Sequence, residues 1–237
     1  MWLDKIKVHE TWNAFLTDEI IDELNKIESL VGTDYTPTED KVLRFMGLDL
    51  SAMSVVILGQ DPYKPAGVAT GRSFEPADVK SWNDKYRQVS LKNIIRLVYK
   101  TYAGIERYSD IPSYSEIVKK IKAGEFKIKE PADWFNSLEE QGVLFLNTTL
   151  TCKIDESNSH KELWAKFSDE LLKYISKNNS SLYWFMWGKE AISKLDSIQC
   201  GRVYRSKHPM MCSEKYADDF LKSDCFKDTM RLINWLG

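Results

Sequence analysis

Three short polar clusters carry the side chains best suited to chemistry. Gln60 and Asp61 stand in Gly59-Gln60-Asp61-Pro62-Tyr63, an amide stands in Asn147-Thr148-Thr149, and an imidazole stands in Lys207-His208-Pro209. Carboxylates and imidazoles are common carriers of proton transfer and of charge stabilisation. A primary amide offers an acceptor and two donors, which suits it to reading a polar ligand. Each cluster also has a plainer use. Asp-Pro starts turns, Asn caps them, and a loop histidine can be satisfied by its neighbours. Taken singly the plainer uses are favoured; the placement the three share changes the balance.

Other chemistries lack material. The only histidines are His9, His160 and His208, far apart in the chain. The four cysteines at 152, 200, 212 and 225 form no Cys-x-x-Cys pair and fit no common zinc or iron–sulfur spacing. No metal or other cofactor is therefore expected. Walker and dinucleotide glycine motifs are missing, which weakens the reading as an unrelated α/β nucleotide-binding protein. The net charge of -2 excludes a globally basic binder and leaves room for a local basic face. Scattered thiols suit a reducing compartment, and the charged start, Met1 to Lys7, lacks the apolar core of a secretory signal. Both point to a cytoplasmic protein. No apolar run approaches a membrane span.

The elements that must position the clusters can be read from hydrophobic spacing. Residues 54–59 form a short apolar, β-branched run ending at Gly, the pattern of a strand buried inside a parallel sheet. Residues 143–147, 182–187 and, more briefly, 201–205 read the same way, with Trp184 and Trp187 as strand core. A helix is expected over 10–31 from Trp12, Phe15, Leu16, Ile20, Leu24, Ile27 and Val31, and a short one over 36–45. Between the second and third strands, Ser159 and Glu162 suggest a capping box. Leu163, Trp164, Phe167, Leu171, Leu172 and Ile175 then share one helical face. A final helical segment is expected over 217–236, and residues 104–130, rich in Lys and Glu, read as a solvated helical excursion.

A chain of 237 residues with 43% hydrophobic content fits one domain spanning residues 1–237. Strands alternating with helices imply α/β class: a three-layer α/β/α domain around a central, mainly parallel four-stranded sheet. Ligands of such sheets bind beyond the carboxyl ends of the strands. All three clusters fall there, so the topology gathers an acid, an amide and an imidazole at one rim.

The first cluster, together with Ala69-Thr70-Gly71-Arg72-Ser73-Phe74, resembles the active-site signature of the main uracil-DNA glycosylase family. Residues 141–151, from Gln141 through Asn147 to Thr151, are similar to that family's second strand and its base-reading Asn. Asn158-Ser159-His160-Lys161 with Trp164 and Phe167 resembles the helix that follows. Trp187-Gly188 is similar to its phosphate-contacting loop, and His208-Pro209 to its late histidine loop. The likeness runs from about Pro37 to the C-terminus, with an apparent insertion around 104–125.

This resemblance implies an enzyme that flips deoxyuridine out of DNA and cuts its N-glycosidic bond. Asp61 would stabilise the sugar cation and position or activate water, and His208 would donate a hydrogen bond to uracil O2. Asn147 would pair with O4 and N3–H, Phe74 would stack on the base, and Tyr63 would exclude a C5 methyl group. Gln60 would line the same pocket. Ser90, Gly188, Lys189, Pro209, Met211 and Cys212 would meet the DNA. The implied partner is uracil-containing DNA, single- or double-stranded, with a DNA-mimicking protein inhibitor as a further candidate. A monomer that engages no membrane is expected.

The chain departs from the family pattern at several points. Lys64 stands where the family has His after Asp-Pro-Tyr, and residues 85–89 replace a proline-rich loop before Ser90. Gly188-Lys189 replaces Gly-Ser. The late loop reads His208-Pro209-Met210-Met211-Cys212-Ser213, without the family's phosphate-binding Ser and inserting Leu. Met211 or Cys212 is then the substitute wedge, and weakened duplex engagement is expected before any loss of bond cleavage. A nonenzymatic uracil-DNA or DNA-binding accessory on the same fold stays open; the retained Asp61 favours the enzyme.

Overall fold

A computed structural model describes residues 1–237. Its central sheet holds β2 (Val55–Gly59), β3 (Val143–Asn147), β5 (Tyr183–Trp187) and β6 (Arg202–Ser206) in the order β3-β2-β5-β6, every pair parallel. A two-residue antiparallel ribbon joins β1 (Tyr35–Thr36) to β4 (Cys152–Lys153). The helices are α1 (Asp18–Val31), α2 (Glu39–Val42), α3 (Val89–Tyr102), α4 (Tyr114–Lys122), α5 (Pro131–Glu140), α6 (Lys161–Asn178), α7 (Lys189–Ile192) and α8 (Cys225–Thr229).

Successive strand residues point to opposite faces, and both faces are covered. Val56, Leu58, Leu144, Leu146, Trp184 and Met186 pack with Leu24 and Ile27 of α1 and Trp164, Phe167 and Leu171 of α6. Val55, Ile57, Val143, Phe145, Phe185 and Trp187 pack on the other side with Ile94 and Leu97 of α3, Trp134 and Phe135 of α5, and Phe226 of α8. This is the expected three-layer arrangement, and Trp184 and Trp187 lie in its core. All five residues of β2 and of β3 are buried, which is why their sequences are apolar up to the terminal Gly59 and Asn147. No helix is long and apolar enough to cross a membrane.

Several helical expectations need correction. Residues 10–31 are not one helix. Glu10–Trp12 makes a 3-10 turn, Trp12 Nε1 donates to Leu48 O at 2.8 Å, and α1 starts only after Thr17, whose hydroxyl accepts from Ile20 N at 3.4 Å. Trp12 and Phe15 are buried, but from a turn. The capping box before α6 does not form: Ser159 Oγ instead accepts from Lys153 N at 2.7 Å and donates to Glu156 O at 2.9 Å, leaving His160 at the N-cap. Only residues 39–42 of the 36–45 segment are α-helical, followed by a 3-10 turn. The last expected helix breaks into a 3-10 turn, Phe220–Lys222, and the short α8. Residues 104–130 are packed rather than merely solvated. Their capping box is Ser113/Glu116, and Ile111, Ile117, Phe126 and Ile128 enter the core beside α3.

Candidate active site

Strand register builds the rim. Gly59, the last residue of β2, lies opposite Asn147, the last of β3. The pairing continues past the strand ends through Thr148 N to Gly59 O at 3.0 Å and Thr149 N to Gln60 O at 2.9 Å. The Thr148 hydroxyl donates to Gln60 O at 2.9 Å as well. Only glycine fits at 59. A Cβ there would collide with Asn147 Oδ1 and stand 2.7 Å from Ser73 Cβ. The missing side chain is what lets the Asn147 amide sit against the strand, 6% exposed, facing a pocket of about 420 Å³. The pocket is lined by Gly59 to Pro65, Arg72, Phe74, Ser90, Asn147, Ser157 and His208.

Asp61 is held from across the pocket. Its Oδ2 accepts the backbone N–H of Asn158 at 2.9 Å, and the Gln60 amide hydrogen-bonds the Asn158 side chain. Burial pushes the Asp61 carboxyl above its usual range, while the Asn158 N–H and the nearby Ser157 hydroxyl pull it back toward the anion. Asn158 and Asp155 both have positive φ, 62° and 64°, so the segment between β4 and α6 turns sharply enough to aim an N–H at the carboxylate. Lys64 fastens the same segment: its Nζ donates to Asp155 O at 3.0 Å, and Asp155 N donates to Lys64 O at 2.9 Å.

The aromatic wall is fixed with similar care. Phe74 adopts φ 63°, uncommon for a non-glycine residue. Its carbonyl accepts from the Tyr63 hydroxyl at 3.2 Å, and its ring lies 5.5 Å from Trp187 and 6.1 Å from His208. Ser73 Oγ donates to Ile57 O at 3.0 Å. Arg72, nearly buried, forks onto Glu139 at 2.7 and 2.8 Å, onto Glu75 at 3.1 Å, and onto Asn136 at 2.9 Å. Burial pushes the Glu139 carboxyl up, but hydrogen bonds from Arg72 and Arg44 outweigh it and hold it at about 2. This latch ties the Phe74 loop to α5.

His208 follows β6 by two residues. Its Nδ1 accepts from Met210 N at 3.2 Å, so in the neutral ring the proton resides on Nε2. Burial lowers its pKa, which favours that neutral form. Gly188, at φ 92°, makes room for the ring; a Cβ there would lie 2.9 Å from His208 Cβ and 3.1 Å from Cδ2.

The residues expected to meet DNA ring this pocket unevenly. Ser90 lines it from the first turn of α3. Lys189, Lys85 and Arg87 are exposed, and Gly188 is buried behind His208. In the late loop Pro209 is buried, while Met210 and Met211 are 59% and 51% exposed. Cys212 is half-buried; its thiol donates to Pro209 O at 3.2 Å, and burial pushes its pKa up to about 12. Of the two wedge candidates, Met211 projects outward and Cys212 turns inward.

The pocket thus brings together Gln60, Asp61, Tyr63, Phe74, Ser90, Asn147 and His208. It combines a carboxyl group, an imidazole whose lowered pKa favours its neutral form, an amide with no side-chain hydrogen bond inside the protein, and an aromatic ring. No group of three or more His, Cys, Asp or Glu side chains gathers to hold a metal ion. Sequence reasoning missed the roles of Asn158, Ser157 and the Arg72–Glu139 latch. The only available signal was the polar run Glu156-Ser157-Asn158-Ser159 and a charged residue inside an otherwise small-residue loop.

The family model described as the uracil DNA glycosylase superfamily matches residues 48–232. A curated uracil-DNA glycosylase from Francisella tularensis subsp. holarctica is 32% identical over 216 residues, covering 84% of this chain and 83% of its own length. One from Borrelia duttonii is 27% identical over 242 residues, covering 97% and 95%. Among solved structures, wild-type UNG from Nitratifractor salsuginis aligns with a TM-score of 0.73 at 20% identity, covering 99% and 94% of the two chains. A point variant of mimivirus UNG, solved in complex with UGI, aligns with a TM-score of 0.66 at 21% identity, covering 88% and 72%. The structural likenesses support the fold.

Proposed function

We propose that this chain, which belongs to the uracil DNA glycosylase superfamily, hydrolyses the N-glycosidic bond of deoxyuridine in DNA at the rim of β2, β3 and β6, releasing uracil and leaving an abasic site for base-excision repair. The reading rests on one observation above the rest: Asp61, Asn147 and His208, separated by 86 or more positions from Asp61 in sequence, line one pocket.

The proposed course follows from the residues. A deoxyuridine leaves the base stack and enters the pocket, its ring on Phe74. The Asn147 amide accepts from uracil N3–H and donates to O4, a pairing that its lack of internal partners leaves free. Tyr63 closes the side where thymine carries its methyl group. As the bond from C1′ to N1 breaks, its electron pair goes to uracil and charge develops on O2. The Nε2–H of His208 stabilises that oxygen, and its lowered pKa suits a neutral donor. The cationic sugar faces Asp61, whose carboxylate stabilises it and directs a water to C1′, taking the proton that the water releases. The Asn158 N–H holds that carboxylate in place.

Around the pocket we assign Lys189, Lys85 and Arg87 to phosphates and Met211, with Met210 beside it, to the gap left in the stack. Lys64 fastens the Asp61 wall rather than reproducing the family's His. A protein that mimics DNA would cover the same basic rim; a mimivirus relative is solved with UGI bound. The test is direct. The protein is incubated with single-stranded oligonucleotides carrying one uracil, or thymine at the same site, then treated with alkali. Strand breaks confined to the uracil oligonucleotide are expected; no breaks, or equal breaks in both, would overturn the assignment.

A further inference from the structure

We infer that the 104–125 insertion positions His208 through two side chains of α3, Asn93 and Arg96. This rests on the assignment of His208 as the O2 donor. Asn93 and Arg96 lie three positions apart on α3 and so share a face. Asn93 is 7% exposed, and a buried amide is held where its donors and acceptors find partners. Its Nδ2 donates to Pro209 O at 2.6 Å, and its Oδ1 accepts from Arg96 Nη1 at 3.0 Å. Arg96 Nε then donates at 2.9 Å to the carbonyl of Pro112, in the turn that leads into α4. One guanidinium fork therefore spans from the insertion to the amide that grips the late loop.

The gripped carbonyl belongs to the residue beside the imidazole. Pro209 opens the 3-10 turn Pro209–Met211, in which Met210 N donates to His208 Nδ1 and Met211 N donates to His208 O at 2.8 Å. Moving Pro209 O moves the turn, and the turn sets both the tautomer and the aim of Nε2. The far end of the loop is fixed independently, by Ser213 N on the buried Asp219 carboxylate at 2.6 Å. Asn93 and Arg96 are thus positioning residues, with no contact to the base required.

The test is a double-mutant cycle in single-turnover excision of uracil from a single-stranded oligonucleotide, with enzyme in saturating excess. Asn93→Asp keeps the size and the Arg96 contact but sets an acceptor against Pro209 O. Arg96→Lys keeps the charge, loses the fork, and serves if the first variant folds poorly. Each is expected to slow the chemical step by about tenfold or more, in keeping with small displacements of a reacting group. In a His208→Ala background the same changes are expected to cost less than about twofold, because residues acting through one group are not additive. Wild-type rates in both variants, or equal losses in both backgrounds, would overturn the inference. If His208→Ala itself leaves excision unchanged, the assignment of His208 fails and the inference falls with it, an outcome distinct from the other two.

Discussion

Replacing Gly59 by Ala is the smallest change that should disable base recognition. The added Cβ would meet Asn147 Oδ1 and stand 2.7 Å from Ser73 Cβ. Carbon atoms in ordinary contact are about 3.5–4.0 Å apart, so one neighbour must retreat by roughly 1 Å. Ser73 resists, because its hydroxyl is bonded to Ile57 O at 3.0 Å within the buried wall. The Asn147 side chain has no comparable tether and is the group that yields. Overpacking of this kind costs about 1–3 kcal/mol of stability. Displacing a substrate-reading group by about 1 Å can slow reaction about 100-fold. The assay is single-turnover uracil release, run well below the melting temperature, with circular dichroism confirming the fold. A Gly59→Ala protein that excises uracil within about threefold of wild type, against that 100-fold expectation, would refute the steric reasoning.

Three further outcomes are expected. Asn147→Asp sets a carboxylate against uracil O4 but can accept from cytosine N4–H₂, so a competition assay should show weaker uracil excision and a gain for cytosine; an unchanged preference would remove Asn147 from base reading. Replacing Met210 and Met211 together by Ala should lower excision from U·A and U·G duplexes while sparing the single strand, measured at one fixed salt concentration because phosphate contacts are salt-dependent; equal losses on all three substrates would rule out a wedge. Burial lowers the His208 pKa, so the ring stays neutral as pH falls through the ordinary histidine value of about 6.5. The Asp61 pKa is raised, so its anion is lost at a pH above the ordinary aspartate value of 3.8. The chemical rate should therefore hold level through about pH 6.5 and fall on the acid side of it; a midpoint at about 6.5 or higher would show an ordinary histidine titrating.

The sheet was legible because its strands are buried on both faces. Val143–Asn147 was read to the residue, since its apolar run is unbroken until Asn147 ends it. Helix ends were less legible because hydroxyls have rival partners. Ser159 looked like a cap, but the backbone of the preceding turn claims its oxygen. Trp12 continued a helical stripe and yet leaves it for Leu48 O, a partner 36 positions away. In residues 104–130, abundant lysines masked Ile117 and Phe126, whose burial depends on α3. Asp61, Asn147 and His208 could be picked out because each ends or follows a strand expected from the sequence. The backbone N–H of Asn158 could not, since any residue has one and only the positive φ aims it. Asn93 was not legible either: α3 was not among the expected helices, and Pro209 O, its partner 116 positions away, meets it only in the fold.

The central claim is that the Asp61 carboxylate, held by the Asn158 N–H, drives excision at this pocket. Asp61→Asn preserves shape and keeps an oxygen to accept that N–H, while removing the charge. Burial raises the carboxyl's folded pKa, so the anion weighs against folding above that pKa and the penalty is relieved as pH falls through it. At pH 7 the variant should therefore melt no lower than wild type. Single-turnover uracil release on one uracil-containing oligonucleotide, followed beside the melting curve, joins both readouts. The expected result is a chemical step slowed about 100-fold to 10,000-fold with DNA binding and melting temperature retained. Excision by Asp61→Asn within about threefold of wild type, far short of that loss, would contradict the claim.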